Sequence, residues 1–339
     1  MKKLLLLSSA LMAISAASTT SALEVKVSGK VQFTANFGDD LKDVGGTNAT
    51  GALTAPPYSD DVRQSAKNWD TDADVTFTAE STACCLGYGV RVNLDIDPDA
   101  GTVSDTDAKL WVGTQYGKFE FGEVDASQAA FDQSFMDVGP LHGGKDITVP
   151  FVSTAALMSD NDHKFDSEIP TTGIAFIAPV GPFTVAASTD ANSNTVASIK
   201  GSYYLMGYDV AGVAAFAGDT YAAQLSTTVS GVKVGGTIGE DGDDEEFYGG
   251  GLGYTMDAWS FSATAMRADA YARFNTGPVV YKAKETDLTL GVDYKLAPGL
   301  VVDGSIQSSK RVTTASAAAP TAVSNNRWTK MAVRIAATF

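Results

Sequence analysis

Beyond its first 22 residues the chain has no stretch approaching the roughly 18 consecutive apolar residues that a membrane-crossing helix requires. A helical membrane protein is therefore excluded. Cysteine is scarce as well: the two residues, Cys84 and Cys85, are adjacent and could pair only through a strained ring, so no disulfide framework holds the fold. The two histidines, His142 and His163, fall in an aperiodic stretch and lack the spacing of a metal-ligand pair, which favours a solvated or loop-packing role. No histidine lies on a strand-like segment, so a hydrolase nucleophile mounted on a rigid wall would have no histidine base, and an enzyme is not expected. Basic residues are also few. The 24 Lys and Arg against 40 Asp and Glu give a net charge of −16, which makes nucleic acid an unlikely partner.

What the chain does have is alternation. Residues 1–22 carry Lys2 and Lys3, an apolar stretch, and the small residues Thr20-Ser21-Ala22, the pattern of a secretory signal peptide. Its removal would leave a mature domain of 23–339 and, with the loss of Lys2 and Lys3, deepen the net charge from −16 to −18. From Glu24 onward Val25, Val27, Gly29, Val31, Phe33, Ala35 and Phe37 share one face, opposite Lys26, Lys30 and other polar residues. The far end behaves the same way: Met331, Val333, Ile335, Ala337 and Phe339 alternate with Lys330 and Arg334. Such one-faced strands, with abundant glycine and no sign of a dense interior, predict an all-β transmembrane barrel, apolar outward and polar inward.

Short turn signals at 86–89, 115–118, 179–182, 205–208, 230–231, 255–258 and 296–299 separate longer connections at 38–69, 97–106, 124–171, 190–195, 217–219, 239–246, 269–282 and 309–326. The count predicts a 16-stranded antiparallel barrel. Outward sets include Val75, Phe77 and Ala79; Val90, Val92, Leu94 and Ile96; Phe119 and Phe121; and Leu288, Leu290, Val292 and Tyr294. With no water in the hydrocarbon layer, the first and last strands must pair to close the wall.

The opening EVKVSG, the segment YGKFEFGEVDASQAAFDQ (116–133), GGKDITVPF (143–151) and the final Phe339 resemble the trimeric, sixteen-stranded general porins of Gram-negative bacteria, most closely those of alphaproteobacterial type. The resemblance implies a homotrimer in the cell outer membrane, with Phe339 resembling the signal read by the outer-membrane assembly machinery. It also implies that the third long connection, 124–171, folds into the lumen as a constriction loop.

By parity, Lys26, Lys30, Arg91, Lys109, Lys118, Lys330 and Arg334 point into the lumen, and Lys30 and Arg334 are expected at similar height. Like charges on adjacent strands repel, so this wall needs counter-charge. Glu123, Asp125, Asp132, Asp137 and Asp146 lie in or just before the third connection and are the expected supply. The resemblance implies that the two sets face each other as the pore constriction. Neutralising Lys30 and Arg334 would then tune selectivity without harming the fold.

No metal or other cofactor is expected. The acidic stretches DPDA (97–100) and DGDDEE (241–246) could hold Ca2+ through hard oxygens, but DGDDEE lacks the spaced ligands of a calcium loop, and a solvated loop near lipopolysaccharide and other outer-membrane lipid is the simpler reading. Sixteen strands leave an aqueous channel. The sequence thus predicts a water-filled pore for passive diffusion of small hydrophilic solutes and ions, weakly cation-preferring. A solute-selective channel is the runner-up. An adhesin or structural anchor is disfavoured because it has no use for a charged inner wall.

Overall fold

A computed structural model describes residues 24–41, 63–83, 85–97, 102–123, 172–190, 195–217, 220–241, 245–273, 280–316 and 322–339. They form sixteen strands. The first four are β1 (Glu24–Leu41), β2 (Arg63–Ala83), β3 (Leu86–Asp97) and β4 (Thr102–Thr114), and β5 (Gly117–Glu123) precedes the 124–171 connection. Next come β6 (Thr172–Val180), β7 (Phe183–Asp190), β8 (Thr195–Leu205), β9 (Tyr208–Ala217), β10 (Thr220–Val229) and β11 (Val232–Asp241). The last five are β12 (Glu245–Met256), β13 (Trp259–Arg273), β14 (Val280–Ala297), β15 (Leu300–Ser316) and β16 (Ala322–Thr338). Each pairs antiparallel with its sequence neighbours, and β1 pairs with β16, so the sheet closes into a barrel without an edge. A closed barrel satisfies every ladder position internally, the condition for spanning lipid with strands.

The apolar positions of the alternation face outward and are exposed: Val27, Phe33, Phe119, Leu225, Leu252, Leu290 and Ile335 are among them. In water so large an apolar surface would drive aggregation. In lipid it is the solvated face. Near the short-turn end, aromatic rings gather into a girdle, with Trp259 packed 4.5 Å from Tyr294 and Phe119 4.7 Å from Phe176 between ring centroids. Amphipathic and aromatic rings favour this depth.

The wall is uneven in height. β1, β2 and β14 run 18, 21 and 18 residues, whereas β5 and β7 run 7 and 8. A strand tilted by about 40° gains roughly 2.5 Å of height per residue, so the short strands, at about 18–20 Å, fall short of a ~25 Å apolar band while the long ones project well beyond it. This explains why the ordered strands outrun the predicted ones. Residues 38–41, 63–69 and 102–106, expected in connections, are strand. Outside the hydrocarbon both faces of a strand meet water, and the apolar alternation that reveals a strand disappears.

Six of the seven expected turns are present. Met206-Gly207 and Ser230-Gly231 have positive φ at both central positions, the left-handed geometry whose twist matches a tight hairpin. The first turn is a correction: it lies between Ala83 and Leu86, with Cys85 in it, and the LGYG stretch opens β3 instead. Its glycines serve packing. A Cβ at Gly89 would meet the Trp111 indole at 2.7 Å, and one at Gly87 would meet the same ring at 3.2 Å. Cys85 is a free, exposed thiol.

Candidate functional site

The lumen face follows from the register. On β1 the even residues oppose the exposed valines and phenylalanines, so Lys26, Lys30, Gln32 and Thr34 point inward, and their partners on β2 and β16 point inward with them. All seven basic residues singled out from the sequence lie on this inner face. Lys26, Arg91 and Lys109 fall in a single row, because Lys26 opposes Thr78, Thr78 opposes Arg91, and Arg91 opposes Lys109. Lys118 lies below them, opposite Gly113.

Lys30 and Arg334 are not level, which corrects the expectation. Lys30 opposes Thr338, and Arg334 opposes Thr34 four residues further up. Counting from the strand ends failed because a barrel's strands are staggered by its shear. Phe339 meets Gly29, not Glu24, through Gly29 N–H to Phe339 O and Phe339 N–H to Gly29 O, each 3.0 Å. The lower end of β1 therefore hangs below the end of β16.

Several wall cations have wall acids as partners. Lys26 reaches Glu80 at 2.8 Å and Glu24 at 3.2 Å. Lys118 pairs with Glu120 on its own strand. Arg334 forks onto Asp303, with Nε to Oδ2 at 3.0 Å and Nη2 to Oδ2 at 2.7 Å, and its Nη1 lies 3.4 Å from Gln32 Oε1. The amide of Gln32 then donates to Asp72 at 2.7 Å. One polar chain, Asp303–Arg334–Gln32–Asp72, thus crosses the closing seam through β15, β16, β1 and β2. Asp303 is 2% exposed and Arg334 15%, so this pair is nearly dry despite facing the lumen. A pair so buried ties β15 to β16, which weighs against the expectation that Arg334 could be neutralised without harm to the fold.

Asp72 continues into a carboxylate cluster. One oxygen each from Asp72, Asp74 and Asp95 lies within 4.8 Å of the others. Asp74 opposes both Lys30 and Asp95, which places a base at the edge of the cluster. Like charges so close repel unless something compensates; the Gln32 amide donates to Asp72, and Lys30 stands opposite Asp74. The sequence shows these acids as period two in DTDAD (70–74), the signal that was available had acids been tracked by parity as the bases were.

Glu123 ends β5 opposite Thr172, its side chain outside the described residues. Asp125, Asp132, Asp137, Asp146, His142 and His163, and the inward fold of 124–171, also lie outside them, as do the signal segment and the acidic stretch 98–100. Asp241 and Glu245 pair by backbone where β11 meets β12. On the opposite lumen wall many inward residues are small, among them several alanines, with Lys200 and Gln224 as longer exceptions. Ala175, Ala186, Ser198, Ala215 and Ala222 are buried, and beside them Gln224 Oε1 and Ser198 Oγ have no hydrogen-bond partner among the described residues.

Comparison with solved structures agrees with this architecture. OmpT of Vibrio cholerae with its eighth loop deleted superposes with a TM-score of 0.56 at 14% identity, over 94% of this chain and 100% of that one. A doubly substituted mutant of the Rhodobacter blastica porin superposes with a TM-score of 0.54 at 15% identity, over 93% and 100%. In vitro folded OmpT of Vibrio cholerae in its trimer form gives 0.55 at 13% identity, over 94% and 100%. At such identities the likeness is one of fold. No curated protein matches the chain. The family of Gram-negative porins matches residues 7–314. With that match over most of its length and a closed sixteen-stranded barrel beneath it, the chain belongs to the Gram-negative porins, channels of the outer membrane that carry out no enzymatic reaction.

Proposed function

We propose that this porin is a general diffusion pore of alphaproteobacterial type, passing small hydrophilic solutes and ions with a weak preference for cations. The observation that carries the reading is the pairing of an apolar outer face with a lumen wall of charged side chains, and no histidine-based chemistry on any described strand. A wall wet by water and lined by both signs of charge favours polar solutes without requiring a binding site. Cation preference is supported by the carboxylates of Asp72, Asp74 and Asp95 and by the acidic balance of the chain.

Export by residues 1–22, a constriction loop formed by 124–171 and a homotrimeric assembly belong to the same proposal. The trimer draws support from the trimer form of OmpT. The loop draws support from the small, buried lumen wall of β6–β10, which leaves room beside it for a long segment, and whose unpartnered Gln224 and Ser198 oxygens offer it hydrogen bonds.

Single-channel recording in a planar bilayer tests the reading. An ohmic, non-saturating current with unchanged conductance in the presence of sugars and amino acids is expected, whereas block by one solute would establish a selective channel instead. The zero-current potential across a salt gradient should report cation preference. Asp74→Asn with Asp95→Asn should reduce the permeability ratio roughly twofold at 0.1 M salt and much less at 1 M, because the Debye length falls from about 10 Å to about 3 Å. An unchanged potential at 0.1 M would place the selective stretch of the pore elsewhere.

A further inference from the structure

The inward basic residues are unevenly placed along the pore axis. Lys118 and Lys233 each follow the first residue of their strands, β5 and β11, and Lys26 and Lys295 stand two residues from the corresponding ends of β1 and β14. Arg91, Lys109 and Lys200 stand five residues from the short-turn ends of β3, β4 and β8. Lys200, Lys233 and Lys295 face the lumen because Ile199, Val234 and Leu296 beside them lie on the exposed outer face. At roughly 2.5 Å of height per residue, all seven fall in a belt about 12 Å deep.

The belt also runs around the circumference. Starting from Lys118, the strands β5, β8, β11, β14 and β1 follow at every third position of the closed barrel, roughly 14 Å apart at ~4.8 Å per strand. Most acids of the belt are engaged. Lys26 holds Glu24 and Glu80, Lys118 holds Glu120, and Arg334 holds Asp303. The other inward carboxylates at this level among the described residues are Asp209 and Asp293. Arg91 and Lys295 are exposed, and no carboxylate among the described residues pairs with either.

Above the belt the sign reverses. The inward residues Asp72, Asp74, Asp95 and Asp287 stand nine to eleven residues from the same strand ends, against Lys30 and Lys330. The backbone ladder adds Asp70 opposite Thr34 and Asp105 opposite Asp95. Two zones of opposite fixed charge in series make a pore polar along its axis. Under one sign of voltage, cations enter past the acids while anions enter past the belt, and both accumulate between the zones. Under the other sign, each carrier must enter through the zone that repels it, and the middle is depleted.

We infer that Arg91, Lys109, Lys200, Lys233 and Lys295 form a cationic collar at the short-turn mouth, the periplasmic one in outer-membrane barrels, which draws small anions in from that side and makes permeation directional. The collar rests on the water-filled pore proposed above, and it sets a second filter of opposite sign in series with the acidic upper wall. Neighbouring charges ~14 Å apart act together when the Debye length is about 10 Å and separately when it is about 3 Å.

The test is single-channel recording of the purified full-length porin in potassium chloride, comparing currents at equal voltages of opposite sign. In the parent the larger current should exceed the smaller by roughly 1.5-fold at 0.1 M and by almost nothing at 1 M, where the ohmic behaviour of a general pore is read. Lys200→Gln with Lys233→Gln and Lys295→Gln should bring the 0.1 M ratio close to one and raise the cation-to-anion permeability ratio roughly twofold. Equal currents in the parent at 0.1 M overturn the collar, as does an unchanged ratio in the triple variant. Should that variant fail to give a folded barrel, the parent alone decides through its zero-current potential with the dilute salt placed first on one side and then on the other. Unequal magnitudes support the collar, and equal ones overturn it. Block by a sugar at 1 M would overturn the general-pore reading without altering the 0.1 M ratio, so the two readings fail separately.

Discussion

Arg334→Gln is expected to lower the stability of the folded barrel by about 3–5 kcal/mol, because it leaves the Asp303 carboxylate buried and unpaired. Asp303 accepts two guanidinium nitrogens at 2.7 and 3.0 Å, and its exposure of 2% leaves water little access to replace them. The loss is felt at the seam. Arg334 also touches Gln32, whose amide holds Asp72, so removing the arginine releases a hydrogen-bonded chain that ties β15 and β16 to β1 and β2. A double-mutant cycle separates this from a general effect of altering the wall. Asp303→Asn in the Arg334→Gln background should recover most of the stability, since two neutral amides no longer leave a buried charge. Lys30→Gln, at a half-buried position that water still reaches, should cost much less. The temperature at which the folded band converts to the unfolded one on a gel gives the comparison, and an Arg334→Gln barrel that converts with the parent would mean the seam is held by its backbone ladder alone.

The contrast between Lys30 and Arg334 shows what the sequence could and could not carry. Which face each residue occupies was legible, because a strand has period two and a single misassigned residue would turn every valine of β1 or β16 into the water-filled lumen. Height was not. The level of a side chain depends on the stagger between strands, and nothing local in Val27 or Val333 records it. Turn chemistry was legible where φ must be positive, as at Met206-Gly207, and misleading where glycine serves another purpose, as at Gly87 and Gly89 beneath Trp111. The inner acids were visible as residues but not as partners. Glu80 is 54 residues from Lys26, and Asp303 is 31 from Arg334, so each pairing exists only through the register.

The closing contact itself should be the point most sensitive to a change of few atoms. Gly29 faces outward, and the Phe339 ring lies over it: a Cβ there would stand 2.5 Å from Phe339 Cζ, 2.9 Å from Cε1 and 2.8 Å from the Asp74 carbonyl oxygen. Real Cβ atoms do not approach so closely, and the third neighbour is backbone that cannot turn aside. Gly29→Val must therefore push the ring away and strain the pair of 3.0 Å backbone bonds that join Gly29 to Phe339. An aromatic ring covering a glycine across a strand pair is a recognised way of fixing register, and here it fixes the last residue pair of the seam. Because a barrel must pair β1 with β16 before its wall is continuous, the expected effect falls on assembly: a severalfold lower yield of folded barrel in the outer membrane, with normal conductance in the channels that form. Deleting Phe339 should do the same by removing both backbone bonds and the ring. Phe339→Leu, which keeps the bonds and gives up the ring, should fall between that deletion and the parent. Folded yield measured from heat-modifiable bands in outer-membrane fractions ranks the three variants, and a Gly29→Val porin that assembles as well as the parent would show that the ring over Gly29 has no part in closing the barrel.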